Sequence, residues 1–370
     1  MRRGMALSLL IGLLSMLLVS FDLLHSNSSD MKISQSDGVK IVSWNLREIF
    51  GKIDVEQRKD DFKKASDELK PDILLIQEVT SHEEVEILKE EMGLNDYHAV
   101  CSDFVTDSQN HAGFEVAILS KYKLDEVIEY DPSTTISFRD DKLNNNEPNS
   151  PIYPTEKVML DDNDKKYLKG IGLKTRLGAR GYLYARIDQI KLCLYVVHLK
   201  SARDDQLKGD KYLKNSSNRE SVAASVVLRI DENSQTHPTY AHFVAGDFNV
   251  GHSDSKKNGN DLREDCFSQS SNNNCNDKDP YDETHAIFSS GLIKNMRMLN
   301  LMRSISEETY LTRGNRFKGV GPIDNIYINQ EVESKFSKAS NGKPNGYDSR
   351  RNPRFFGSDH VAVWASYNPN

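Results

Sequence analysis

Several things are missing from this 370-residue chain: a Cys/His spacing suited to zinc, an internal repeat, and a surplus of positive charge. After residue 21 there is also no apolar run long enough to span a bilayer. The even composition beyond that point marks no second domain. A formal charge of −7 argues against a protein that coats nucleic acid indiscriminately, which needs an evenly basic surface. It leaves room for an enzyme whose acidic side chains hold a metal while basic loops hold a polyanion. What is present is a hydrophobic fraction of 37%, enough for a substantial core and unlike collagen, coiled coil or a disordered chain.

The N-terminus stands apart. Basic "MRRG" is followed by the apolar residues 5–21 and then by polar "DLLHSNSSD". This is the three-part plan of an export signal, with small residues for cleavage at Ser26-Asn27-Ser28. The expectation is a signal over residues 1–28 and a secreted or periplasmic protein. An uncleaved anchor over residues 5–21 is the less favoured reading, and only that reading involves a membrane. In an exported chain, Cys266 and Cys275, which bracket "CFSQSSNNNC", are expected to form a local disulfide. Cys101 and Cys193 lie in apolar surroundings and are expected to be buried small hydrophobes.

Beyond the leader, strands and helices alternate. Residues 39–44, 72–78, 115–120, 182–188 and 191–199 read as strands, as do "AHFVAGD", "IDNIYIN" and "VAVWASY". Val55, Phe62, Ala65 and Leu69 share one face of a helix over 54–69, which Pro71 ends. Ser81 and Glu84 form a capping-box pattern for a helix that Gly93 terminates, and Ser217 and Glu220 repeat the pattern before "SVAASVVLRI". Residues 131–176 are rich in Asp, Asn and Pro with little periodicity, which predicts a long irregular insertion. The pattern is that of one mixed α/β domain over residues 38–368.

Polar residues cluster where these strands end. They are Asn45, Glu78, His198, Asp247 with Asn249, Asp324, and the pair Asp359 and His360. Singly, such residues are most often turn or cap residues, or satisfied structural histidines. Together they match the needs of phosphodiester hydrolysis: a hard cation, a base for water, and donors for developing charge on oxygen. Glu78, Asn45 and Asp359 are oxygen ligands suited to Mg²⁺ or Ca²⁺. His198 and His360 are candidates for acid and base.

The segments "SWNLR", "LIQEV", "VVHLKS", "GDFN", "IDNIYIN" and "GSDHVAV", in this order, resemble the endonuclease/exonuclease/phosphatase superfamily, and within it deoxyribonuclease I most. The resemblance spans about residues 39–367. It implies a four-layer αββα sandwich, two mixed β-sheets flanked by helices. It also implies Mg²⁺ as cofactor, with Mn²⁺ as a substitute and Ca²⁺ as a structural ion. Glu78 matches the chief metal ligand and Asn45 its helper. His360 matches the general base, oriented by Asp324. His198 matches a histidine that protonates the leaving oxygen or binds phosphate, with Glu115 as the acid that orients it. Asp247 positions water or metal, and Asn249 donates to a phosphoryl oxygen. Arg47 and Arg180 match substrate contacts.

Two positions depart from deoxyribonuclease I: Thr80 follows "QEV" and Asn325 follows Asp324, where that family carries arginines. The inositol-phosphatase signature, leucine-rich repeats and an aromatic membrane-inserting hairpin are all absent. Basic residues such as Lys200, Arg203, Arg313, Arg316, Arg350 and Arg351 crowd the loops beside these motifs. Such runs are either solvated faces or parts of one polyanion groove. The expected activity is hydrolysis of DNA, with RNA as a further substrate and no stable protein partner. The rival readings are a phosphatase or phosphodiesterase for a small or lipid phosphate, and a catalytically weak binding homologue.

Overall fold

The computed structural model describes residues 38–47, 52–104, 115–131, 180–201, 210–251, 284–289, 291, 296–305, 309–310, 322–341 and 354–370. The expected leader, the 131–176 insertion after its first residue, and Cys266 and Cys275 lie outside them. Most of the basic loop residues lie outside them too. Of the other two cysteines, Cys193 is buried and Cys101 is part-buried. No helix among the described residues is long and apolar enough to cross a membrane.

The described strands form two six-stranded sheets. The first contains β1 (Val39–Asn45), β2 (Ile73–Val79), β3 (His98–Cys101), β4 (Glu115–Ser120), β11 (Ser340–Asn341) and β12 (Val363–Tyr367), in the order β11-β12-β1-β2-β4-β3. The second contains β5 (Glu126–Tyr130), β6 (Tyr182–Ile187), β7 (Leu192–His198), β8 (Ala241–Asp247), β9 (Met298–Asn300) and β10 (Asp324–Asn329), in the order β5-β6-β7-β8-β10-β9. Each sheet has one parallel pair at its centre, β1 with β2 and β7 with β8, and antiparallel neighbours elsewhere.

Strand alternation builds the layers. Ile41, Ile73, Leu75 and Ile118 of the first sheet pack with Leu192, Leu194, Phe243 and Ile326 of the second. The residues between them point outward. Val42, Trp44, Leu74 and Ile76 pack with Phe62, Ala65 and Leu69 of the helix Lys59–Leu69 and with Val85 and Leu88 of the helix His82–Glu91. On the far side Tyr195 and Val244 pack against Val222, Val226 and Ile230 of the helix Asp210–Thr236. Helix, sheet, sheet, helix is the expected four-layer sandwich. Each fully buried aliphatic side chain contributes about 1.5–3 kcal/mol.

Two helix expectations change. The helix over 54–69 is two pieces, Lys52–Gln57 and Lys59–Leu69, broken at Arg58. Arg58 turns its guanidinium back and Nη1 donates to the carbonyls of Leu46 and Arg47 at 2.8 and 3.3 Å. The helix expected to start at Ser217 starts at Asp210 instead, and fully buried Glu220 lies inside it. A Ser and a Glu three apart are neighbours on any helical turn, so the pattern alone does not distinguish a start from an interior. At Ser81 the reading holds. Its side chain accepts from Glu84 N at 3.2 Å, and Glu84 Oε2 accepts from Thr80 N at 2.6 Å.

Candidate active site

Asn45, His198, Asp247 and Asp324 stand on the inter-sheet faces of their strands, at one end of the sandwich. In the second sheet they fall in a row. His198 is the register partner of Asp247 across the parallel pair, and Asp324 is its partner across the antiparallel one. Asn45 reaches over from the first sheet, donating from Nδ2 to Asp247 Oδ2 at 3.1 Å and to Glu78 Oε1 at 3.0 Å.

Glu78 takes part because of a β-bulge. Leu74 and Ile76 face the helices, so an unbroken strand would send residue 78 the same way. The register slips between Gln77 and Val79, Val79 takes the outward position opposite Glu115, and Glu78 adopts φ 67°. Arg47 at φ 61° and Asn249 at φ 55° share this left-handed backbone. Each such residue costs on the order of 1–3 kcal/mol, a strain that clusters at functional sites.

"GDFN" has a division of labour. Gly246 sits at φ 150°, and a Cβ there would lie 1.8 Å from the Val197 carbonyl oxygen, so the β7–β8 approach requires glycine. Asp247 faces the site. Phe248 turns back into the core and stacks on His285 with ring centroids 5.6 Å apart. Asn249 returns to the site, where its backbone N–H donates to Asp247 Oδ1 at 2.8 Å. Its Nδ2 donates to Asp247 Oδ2 and to the Leu199 carbonyl, both at 3.0 Å.

The two histidines end up in opposite states. His360 Nδ1 donates to Asp324, 3.0 Å from Oδ2 and 3.2 Å from Oδ1, and Nε2 lies 3.9 Å from Asp247 Oδ2. Burial works to lower its pKa, but Asp324 and Asp247 outweigh it and hold the group well above the ordinary histidine value. His198 Nε2 lies 3.6 Å from Glu78 Oε1 and 3.7 Å from Asp247 Oδ2. Burial, then the charges of Arg180 and His360, hold its pKa well below the ordinary value, so it is neutral. Asp247 itself is pushed up to about 7, chiefly by burial and then by Asp324 and Glu78, against the pull of His360.

Asp247 is thus a buried carboxylate with two acidic neighbours. Glu78, His198 and Asp247 offer ligand atoms within 4.8 Å of one another, and so do Asp247, Asp324 and His360. Buried carboxylates at this spacing are stabilised by a shared cation, and their oxygen-rich set suits a hard divalent ion.

The remaining expected residues lie around this cluster. Asp359 Oδ2 is 3.6 Å from Arg47 Nε, and the Arg47 side chain is about one-third exposed. Arg47 N donates to Asn45 Oδ1 at 2.9 Å. Arg180 is buried, and its Nη1 donates to the Leu199 and His198 carbonyls at 2.7 and 3.4 Å. Glu115 Oε2 accepts from Ser102 Oγ at 2.5 Å and from Phe104 N at 2.9 Å. Asn325, which stands where deoxyribonuclease I carries an arginine, is fully buried on the other face of β10. It donates to the Pro322 carbonyl and accepts from Asn300.

Some supporting residues had no signal in the sequence. Thr309 Oγ1 accepts from the backbone of Ile323 and Asp324, and the Tyr310 ring sits edge-on to His360 with centroids 5.0 Å apart. Ser358 did lie within a quoted motif. Its Oγ donates to the Asn45 carbonyl at 2.6 Å and accepts from His360 N at 3.0 Å, joining the ends of the two motifs.

A family model described as "Endonuclease/Exonuclease/phosphatase family" matches residues 42–360. The chain belongs to this family. Its members are hydrolases acting on phosphate esters and depend on divalent metals, in accord with the carboxylate cluster above. Among solved structures, the 3′-5′ exonuclease NExo from Neisseria meningitidis is similar at 15% identity and TM-score 0.48, covering 89% of this chain and 99% of that one. An AP endonuclease from Archaeoglobus fulgidus is similar at 16% identity and TM-score 0.45, with 89% and 99% covered. A family protein from Bacteroides vulgatus is similar at 13% identity and TM-score 0.49, with 88% and 97% covered. No curated protein matches the sequence.

Proposed function

We propose that this chain is an exported, Mg²⁺-dependent nuclease that cleaves DNA by activated water, with residues 38–368 as its catalytic domain. The observation that carries the reading is the single linked cluster of Asn45, Glu78, His198, Asp247, Asn249, Asp324 and His360. A protein that only binds has no use for buried, mutually repelling carboxylates beside two histidines.

Glu78 and Asp247 are the carboxylates that would hold the ion, with Asn45 orienting both. The ion, when bound, supplies positive charge for a phosphate oxygen. Asp324 fixes the Nδ1 proton of His360; with Asp247 neutralised by the ion it would hold, His360 would release its second proton more readily, which frees Nε2 to accept one from the attacking water. His198, held neutral, is a hydrogen-bond donor for a phosphoryl oxygen. Asn249 presents its carboxamide beside it. The Asp359 carboxylate steadies Arg47 at the site's edge, where a guanidinium suits a backbone phosphate. The leader over residues 1–28 supports export.

The test is incubation of the mature protein with supercoiled plasmid and Mg²⁺, with and without EDTA. Metal-dependent nicking is expected. Release of phosphate from inositol phosphates, or cleavage of sphingomyelin, without nicking would replace this reading with the small- or lipid-phosphate one. N-terminal sequencing of exported protein is expected to begin near residue 29.

A further inference from the structure

Thr309 is 0% exposed and lies outside every motif discussed above. Its side chain and main chain face the two halves of the Asp324–His360 pair. On one side Oγ1 accepts from Ile323 N at 3.2 Å and from Asp324 N at 3.1 Å, at the point where β10 begins. On the other side its carbonyl accepts from Val361 N at 2.8 Å, and Tyr310 forms an isolated antiparallel bridge with His360. Among the described residues no other strand pairing joins the Asp324 side to the His360 side, because β10 and β12, the strand that starts just after His360, belong to different sheets. The 3.0 Å contact between Asp324 and His360 therefore spans the two sheets, and the Thr309–Tyr310 segment is the backbone that ties its two sides together.

We propose that Thr309 is a positioning residue that sets the spacing of the Asp324–His360 pair. This deepens the proposed hydrolytic reading and rests on it for the kinetic consequence alone. The hydroxyl is the essential part. Valine has the same shape but no oxygen, so two buried backbone N–H groups lose their acceptor and the start of β10 shifts. Serine keeps the oxygen. The pair is held by a hydrogen bond whose geometry a small displacement degrades, and displacements of this order lower turnover by up to roughly a hundredfold.

The experiment has one arm that needs no substrate. The His360 Nδ1 proton, held by a buried carboxylate, gives a far-downfield proton resonance, assigned by its loss in Asp324→Asn. Thr309→Val is expected to shift or broaden that resonance, and Thr309→Ser to retain it. In the kinetic arm, on plasmid or on bis(p-nitrophenyl) phosphate, Thr309→Val lowers kcat with KM little changed, and Thr309→Ser restores it. In an Asp324→Asn background Thr309→Val has no further effect on kcat, because the pair it serves is already broken. If Thr309→Val does not fold, Thr309→Ala, which leaves room for water at the two amides, carries the same expectations.

An unchanged resonance in a folded Thr309→Val protein overturns the proposal, as does an equal loss of kcat with and without Asp324. If the parent protein hydrolyses neither substrate, the hydrolytic reading fails, and the resonance arm still decides the positioning role.

Discussion

Strand β8 carries a buried polar group at each end, and the two ends have been built by opposite means. At its C-terminal end Asp247 stands among Glu78, Asp324 and two histidines, on backbone forced into left-handed geometry at Glu78 and Asn249. At its N-terminal end His242 is buried among neutral partners. Its Nδ1 lies 3.1 Å from Tyr195 Oη, its Nε2 lies 3.1 Å from Ser234 Oγ, and its backbone N–H donates to Asn329 Oδ1 at 2.8 Å. Both His242 and His360 are buried. Carboxylates raise the pKa of His360 well above the ordinary histidine value, whereas burial and the nearby charge of His237 push His242 down to about 3. Burial alone does not set a histidine's charge. Its neighbours do, and a protein can hold a quiet histidine and a reactive one in the same fold.

Removing the reactive side of this comparison should have the largest effect. His360→Ala is expected to lower turnover roughly 10²- to 10⁴-fold, measured by plasmid nicking on protein shown by calorimetry to be folded at the assay temperature. A variant with full rate would show that the base lies elsewhere.

Gly246→Ala disturbs the strand pair that carries both ends. A methyl group 1.8 Å from the Val197 carbonyl oxygen forces β7 and β8 apart. The expected loss is about 2–4 kcal/mol in urea denaturation, with activity falling in parallel. Loss of stability with undiminished activity would uncouple the pairing from the site.

The quiet end is sharpened by pH. His242 has a depressed folded pKa, about 3 against an unfolded value near 6.5, so the unfolded chain takes the proton first as pH falls. Its contribution to stability is complete above pH 6.5 and is lost progressively between there and about 3. Relative to His242→Gln, the parent should lose roughly 2 kcal/mol between pH 6.5 and 5, read as the difference between their denaturation curves. Parallel pH profiles would mean that His242 titrates normally.

The smallest effect belongs at the exposed edge. Arg47→Ala should raise KM for DNA severalfold, leave kcat nearly intact and weaken the salt dependence of binding. An unchanged salt slope would make Arg47 a partner of Asp359 alone.

The sequence made the reactive end legible because its residues sit at strand ends beside small or glycine-rich turns, where a carboxylate has few structural reasons to be. The strand and helix pattern pointed to one mixed α/β domain, and the four layers followed only from the resemblance of the motifs to the family. The bulge at Glu78 could not be read, since β2 is a continuous apolar run as far as Ile76, with no alternation to break, and the slip exists only against β4. Short strands such as β3, β5 and β11 have mixed or partial burial and leave little period to detect. His242 lay inside an apolar run and looked like any core position. Thr309 acts through backbone contacts to residues 14 and more positions away, which no local pattern encodes.

The slip in β2 has a consequence for how such a protein can be silenced. One extra residue decides whether residue 78 looks into the crevice or out toward the helices. A pairing in perfect register would put an ionised Glu78 in the apolar place that buried Val79 now holds and turn Val79 toward the crevice, so any change that straightens β2 without shortening it removes the acid from the site and disturbs the helix-facing core together.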